Sequence, residues 1–293
     1  MRVACAQYAI RDGDPGINLE RSSTAILDAA RAGADLVILP ELANSGCDFS
    51  SRESALGFAE EVGGPGISEG LTLRAWRSAV EETGIFIVGG FLEREGDSLY
   101  NSVAVVGPGF FGRYRKTHLW DKEKLLYELG WELPVFETPL CNIGVLVCYD
   151  AWFPEAVRTL SLRGADLICI PANAPDDWVP EGQRRGNLTI LNAHAISHAN
   201  ANRLFVACAN RVGDGYLGRS CVVDPSGGVL AFGSATEEEL TSAEVDIERS
   251  RFEKRLTSLS HALGDRNLDV YEDPRLKEAD DLTGRFPEAS GTP

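Results

Sequence analysis

The chain has 293 residues, 44% hydrophobic and 25% charged, a composition that supports a sizeable buried core and excludes a largely disordered chain. A formal net charge of -16 at pH 7 repels phosphate backbones and anionic membrane surfaces, which argues against nucleic acid as a partner. No apolar run approaches the roughly 20 residues that cross a bilayer, and Met1-Arg2-Val3-Ala4-Cys5-Ala6 lacks a signal-peptide layout, so a cytoplasmic protein without a membrane anchor is expected.

In chain order, short runs rich in Val, Ile and Leu alternate with longer helix-compatible stretches. The pattern predicts strands over Val3–Tyr8, Asp35–Leu39, Ile85–Phe91, Ser102–Val106, Ile143–Cys148, Asp166–Ile170, Leu204–Ala209, Cys221–Asp224 and Ala243–Ile247. Helices fit Asn18–Ala32, Glu69–Thr83, Pro154–Arg163 and Gly186–Asn202. Leu36-Val37-Ile38-Leu39 and Val145-Leu146-Val147 are apolar at every position, which calls for cover on both faces of the sheet. Glu95-Gly96-Asp97-Ser98 reads as the turn of an antiparallel hairpin, so the sheet is expected to be mixed.

One segment has an echo. Gly33-Ala34-Asp35-Leu36-Val37-Ile38-Leu39-Pro40 and Gly164-Ala165-Asp166-Leu167-Ile168-Cys169-Ile170-Pro171 share a helix-to-strand turn, an apolar strand and a terminating proline. Two copies suggest two related halves, each a sheet with helices, packed face to face with the helices outside. No linker splits the chain. A domain over residues 1–271 is expected, followed by a tail over residues 272–293 that has few large apolar residues and wraps a partner subunit or stays unstructured.

The seven cysteines form no C-x-x-C pair and are expected to be reduced; Cys5, Cys169, Cys208 and Cys221 lie in apolar strands as small hydrophobes. Cys148 differs, because it ends a strand just before Pro154, which suits a first helical turn. A thiol on a tight strand-to-helix turn has free backbone N–H groups nearby, as an oxyanion site requires, although a buried core thiol is an equal reading of this segment alone. Glu41 directly follows an apolar strand, where ligand sites gather in α/β sheets, and suits a general base; the alternative is a solvent-facing glutamate at a helix start. Lys116 lies in the basic run Gly112-Arg113-Tyr114-Arg115-Lys116-Thr117-His118, which is either a surface cation cluster or a source of positive charge for a thiolate and an oxyanion. His194 and His198 have a zinc-compatible spacing but no glutamate follows His194, Gly63-Gly64-Pro65-Gly66 fits no phosphate loop, and no G-x-S-x-G elbow is present.

Together the three segments resemble the nitrilase superfamily, or carbon-nitrogen hydrolases, whose members carry a Glu-Lys-Cys triad in this chain order. The matches are Pro40-Glu41, Arg115-Lys116-Thr117-His118-Leu119, and Cys148-Tyr149-Asp150 with Phe153-Pro154-Glu155; they extend to Asn210-Arg211-Val212-Gly213, Gly218-Arg219-Ser220 and Asp224-Pro225-Ser226-Gly227. The resemblance runs from Ala6-Gln7 to Asp265-Arg266 and Tyr271. For the family's second glutamate, Glu123, seven residues before Gly130, matches the spacing better than Glu128. His198-Ala199-Asn200-Ala201-Asn202 departs from the common Arg-Ala-x-Glu-Asn and is similar to the N-carbamoylputrescine amidohydrolase branch, but that branch has Trp where Tyr149 stands, so its substrate is not transferred.

The resemblance implies a four-layer αββα sandwich with two mixed β-sheets flanked by helices, commonly a homodimer or larger assembly. It implies a hydrolase of a small amide or N-carbamoyl compound in which Cys148 is the nucleophile, Glu41 the general base, Lys116 with the Tyr149 N–H the oxyanion site, and Glu123 an orienting carboxylate, with no cofactor. A true nitrilase and a catalytically silent binding protein on the same fold are the alternatives. Asn173 and the loop residues Asp176, Asp177 and Trp178, after the strand that follows the nucleophile helix, are expected at the substrate; the acidic pair and Glu181 would attract an amine-bearing substrate.

Overall fold

The computed structural model describes residues 1–63, 69–175, 188–213 and 215–271. The strands are β1 Arg2–Gln7, β2 Leu36–Ile38, β3 Glu60–Glu61, β4 Phe86–Glu95, β5 Ser98–Gly107, β6 Phe110–Arg115, β7 Val135–Glu137, β8 Asn142–Val145, β9 Leu167–Ala172, β10 Phe205–Asn210, β11 Val212–Gly213, β12 Tyr216–Leu217, β13 Cys221–Val223, β14 Val229–Phe232 and β15 Glu239–Glu244. The helices are α1 Pro15–Arg31, α2 Arg52–Leu56, α3 Leu71–Thr83, α4 Glu123–Leu126, α5 Pro154–Leu162, α6 Ile190–Asn202 and α7 Ile247–Phe252. By contacts the chain divides into a unit Met1–Lys254 and a second beginning at Arg255, whose described part holds the short 3-10 turn Leu268–Tyr271. The tail predicted over residues 272–293 lies outside the described residues.

Two sheets repeat one plan. The first runs β15-β1-β2-β4-β5-β6, with β3 beside β4; the second runs β7-β8-β9-β10-β13-β14. In each, three parallel strands (β1, β2, β4 and β8, β9, β10) are flanked by antiparallel neighbours. The echoed octapeptides fill equivalent places. Gly33 and Gly164 adopt φ of 76° and 92°, which frees the chain to leave α1 or α5 and enter the strand. The Asp35 amide donates to the Arg2 carbonyl, as the Asp166 amide donates to Asn142, and each carboxylate accepts from the backbone N–H of that same neighbour. The second half is thus a structural copy of the first.

Alternation along the strands assigns the faces. Val3, Cys5, Leu36, Ile38, Phe86, Val88, Val103 and Val105 point to the second sheet and share one core with it, whereas Ala4, Ala6, Val37, Leu39, Ile87 and Ala104 pack under α1 and α3. Helices α5 and α6 cover the second sheet through Val157, Leu160, Leu191, Ala195 and Ala199. This is the expected αββα order of layers. The helix ends follow local chemistry: Asp14 caps α1 by accepting from the Ile17 amide at 3.1 Å ahead of Pro15, Thr189 and Asn192 form a capping box on α6, and Gly84 ends α3 at φ 76°. Among the described residues no helix is long and apolar enough to cross a membrane.

The basic run opens in β6, where the exposed Arg113 and the part-buried Arg115 pair with the buried Glu93 of β4 at 2.7 and 2.5 Å. Two expected strand ends shift for local reasons. The last strand is Glu239–Glu244 instead of Ala243–Ile247, because Asp246 caps α7 and ends the extended run. The strand expected to end at Cys148 stops at Val145; Cys148 instead begins a 3-10 turn, Cys148–Trp152.

Candidate active site

The catalytic candidates converge where the carboxyl ends of β2, β8 and β9 meet, between the sheets. Beyond β2, Pro40 and Glu41 cross directly over Gly90 of β4: the Gly90 amide donates to the Pro40 carbonyl and its own carbonyl accepts from the Ala43 amide at 2.8 Å. A Cβ on Gly90 would stand 2.6 Å from Glu41 Cα and 2.7 Å from the Leu42 nitrogen, so this crossing requires glycine. Leu42 adopts φ 47°, which turns the chain sharply after the glutamate.

Lys116 leaves β6 with its amide still on the β5 ladder, donating to the Asn101 carbonyl at 2.8 Å. Its ammonium is buried, 2.8 Å from Glu41 Oε1 and 2.8 and 3.0 Å from the two oxygens of Glu123 at the start of α4. Asn101, which the sequence reading passed over, bridges the carboxylates: its Nδ2 donates to Glu41 Oε1 at 2.7 Å and Glu123 Oε1 at 2.8 Å. Burial depresses the Lys116 ammonium, but Glu123, Glu41 and Cys148 outweigh it and hold it well above its usual range. Burial pushes Glu123 above the ordinary carboxylate range while Lys116 pulls it back. Glu128 instead lies 3.4 Å from Arg52, half-exposed, so of the two candidates only Glu123 joins the cluster.

Cys148 is 3% exposed and takes φ 45°, a left-handed conformation costly for a side-chain residue. Asp150 holds the turn. Its Oδ2 accepts from the Val147 amide at 2.9 Å and the Tyr114 hydroxyl at 2.7 Å; its Oδ1 accepts from the Thr117 hydroxyl and the His118 amide, with His118 Nδ1 2.8 Å away. One buried carboxylate therefore ties the Cys148 turn to the segment after Lys116. His198 Nε2 donates to the Ala151 carbonyl at 2.6 Å, so a histidine weighed as a metal ligand buttresses the same turn. Burial and the neighbouring Glu41 push the Cys148 thiol well above its ordinary value, and Lys116 opposes them.

Asn173 closes the site from β9. Its amide donates to Glu41 Oε2 at 2.8 Å and its Nδ2 to the Glu41 carbonyl at 2.9 Å, so the two homologous strand ends are bonded to each other. The Asn173 Oδ1 is buried and has no hydrogen-bond partner among the described residues. Glu41, Lys116, Glu123, Cys148 and Asn173 line one cavity of about 200 Å³. Tyr149 stacks edge-on against Trp120 and Phe153 beside the nucleophile. The expected pocket residues Asp176, Asp177 and Trp178 lie outside the described residues, as does Glu181.

The carbon-nitrogen hydrolase family profile matches residues 2–255. The chain is 36% identical over 277 residues to a nitrilase of Pyrococcus abyssi, covering 92% of this chain and 99% of the relative. It is 34% identical over 254 residues to an omega-amidase of Xenopus tropicalis, covering 79% and 83%. In fold it is similar to a carbon-nitrogen hydrolase from Helicobacter pylori G27, with a TM-score of 0.80 at 23% identity over 94% of this chain and 98% of the other. With a profile match that takes in both sheets and every element of the cluster, the chain belongs to the carbon-nitrogen hydrolase family of the nitrilase superfamily.

Proposed function

We propose that this carbon-nitrogen hydrolase cleaves a small amide or N-carbamoyl compound, with Cys148 as nucleophile, Glu41 as general base and acid, and Lys116 as oxyanion donor. The observation that carries the reading is the shared cavity: a buried thiol, a carboxylate and an ammonium, with the ammonium's charge balanced by a second carboxylate. Because burial keeps the thiol protonated at rest, its proton must leave as the sulfur attacks, and Glu41 is the base in the cluster.

The thiolate adds to the carbonyl carbon, and the oxyanion is met by an N–H of Lys116 and the Tyr149 amide at the start of the 3-10 turn. The ammonium's three N–H donors face Glu41 Oε1 and both oxygens of Glu123, so one turns from the longer, 3.0 Å Glu123 contact to meet the oxyanion. Protonated Glu41 passes its proton to the leaving nitrogen, the C–N bond breaks, and a thioester remains. Glu41 then takes a proton from water, whose oxygen attacks the thioester, and the sulfur leaves and regains its proton. A simple amide gives a carboxylic acid and ammonia; an N-carbamoyl compound gives carbon dioxide, ammonia and an amine. Glu123 orients Lys116 throughout.

A nitrile is the second reading, favoured by the name of the Pyrococcus relative. The Asn173 Oδ1 supports the amide: it is a buried acceptor without a partner among the described residues, and an amide nitrogen offers it an N–H that a nitrile lacks. Ammonia release from a panel of small amides and the matching nitriles tests this. Amides should turn over faster, and Cys148→Ala should retain less than roughly one per cent of the activity with the fold intact. Faster turnover of nitriles would overturn the amide assignment, and substantial activity in Cys148→Ala would remove the nucleophile.

A further inference from the structure

The cavity has a wall that this reaction does not use. Tyr127 directly follows α4, its ring packed with Leu42, Leu92, Leu99 and Leu126, and it lines the same cavity as Cys148 and Lys116. The residue is 5% exposed, and its hydroxyl is buried without a hydrogen-bond partner among the described residues. A buried hydroxyl left in this state is costly, and a native site that retains one commonly completes it with a bound molecule.

The surroundings constrain what the hydroxyl can bind. The ionisable groups that bear on it are Glu123, Cys47, Glu41 and Lys116, three of them in the catalytic cluster. Those carboxylates are already engaged: Glu41 Oε1 accepts from Lys116 and Asn101, Glu41 Oε2 from the Asn173 amide, Glu123 Oε1 from Lys116 and Asn101, and Glu123 Oε2 from Lys116 and the Trp120 amide. Across the wall, the Tyr216 hydroxyl is 3.3 Å from Cys47 Sγ, and the Arg211 guanidinium lies 4.1 Å over the Tyr216 ring. Of these two tyrosines on the cavity, one hydroxyl is paired and the other has no partner among the described residues.

The ligand's chemistry follows. Burial and the adjacent carboxylates keep the Tyr127 hydroxyl neutral and protonated, so it offers a proton. Its partner is an oxygen acceptor, and a neutral one, because an anionic group here would face both Glu41 and Glu123. A cavity of about 200 Å³ holds roughly seven groups the size of a water molecule at about 30 Å³ each, so the substrate is a short acyl compound.

We propose that Tyr127 is a specificity-determining residue whose hydroxyl donates to a neutral hydroxyl or carbonyl oxygen on the acyl part of the substrate, so that the site prefers hydroxy- or oxo-substituted small amides to unsubstituted amides of equal size. This rests on the amide reading above.

The test compares wild type with Tyr127→Phe, which keeps the ring and removes only the oxygen, on lactamide and 3-hydroxypropionamide against propionamide and butyramide. Wild type should favour the hydroxylated amides in kcat/KM. In Tyr127→Phe that advantage should shrink by roughly threefold to tenfold, the scale of one neutral hydrogen bond, while the plain amides change by less than about twofold. Equal losses on both classes, or a wild type that turns over plain amides at least as well, would overturn the proposal and leave the amidase reading standing. A lowered Tm with an unchanged ratio between the two classes would assign the hydroxyl a structural role and also overturn it. Absence of any amide turnover by wild type would overturn the amide reading itself, and this inference with it.

Discussion

In the proposed reaction two demands meet at Cys148: a nucleophile must be held rigidly, and its sulfur must give up a proton that burial favours keeping. The first is met by backbone strain, φ 45°, which costs on the order of 1–3 kcal/mol and which Asp150 and His198 stabilise through the bonds that fix the turn on both sides. In the proposed reaction the second is met by Glu41 as acceptor and by Lys116, 2.8 Å from it, as the charge that steadies the anionic species. Glu41→Gln and Lys116→Ala should therefore each lower kcat by at least about a hundredfold, the scale for losing a general base or an oxyanion donor. Steady-state kinetics that place the whole effect in KM would make these substrate-binding residues instead.

His198 carries a further consequence at this scale. Burial lowers its proton affinity below the usual 6.5, and His194, stacked on it, is lowered likewise. Between the lowered native value and about 6.5 the unfolded chain binds more protons than the folded one, so the stability these groups contribute is present above that range and is lost as pH falls below it. Tm should drop between pH 7.5 and 5.5, and His198→Gln, which keeps a donor for the Ala151 carbonyl, should flatten part of that drop. An unchanged slope would mean that His198 is not the group titrating.

Among the elements, the crossing of the Glu41 segment over β4 leaves no room for a side chain at Gly90. The atoms that a Cβ on Gly90 would meet are Glu41 Cα, the Leu42 nitrogen and the Pro40 oxygen, all backbone, so none can rotate aside. Gly90→Ala should cost about 1–3 kcal/mol in urea unfolding and lower kcat together with stability, because the strain falls on the chain that carries Glu41. Gly96, in the β4–β5 turn at φ 59°, has open space around it, and Gly96→Asn should leave kcat unchanged. Equal effects of the two substitutions would show that the crossing does not position the glutamate.

For the whole molecule, the repeated sheet plan brings the homologous strand ends to one place, and the Asn173 to Glu41 bonds join them. Large apolar side chains remain exposed in this chain, among them Leu125 at 78% and Trp131 at 88%. With a polar tail after residue 271, they motivate a homodimer or larger assembly. Light scattering at micromolar concentration should give a multiple of the 31.7 kDa chain mass, and a monomer would contradict it.

Local pattern by itself determined much of this protein. Strand and helix periodicity pointed to the sheets, the echo at Gly33 and Gly164 to the two halves, and the segments around Glu41, Lys116 and Cys148 carried the resemblance that implied the family and the reaction. These signals lie in contiguous segments, where neighbouring side chains compete only with one another. What tertiary structure alone decided involves partners far apart in the chain: Asn101 bridging two carboxylates, Asp150 joining the lysine loop to the Cys148 turn, Arg113 and Arg115 drawn onto Glu93, and the Tyr127 hydroxyl buried without a partner among the described residues. A buried polar group is stable only where a distant segment supplies its partner, so its role becomes visible only when the two sheets are closed on each other.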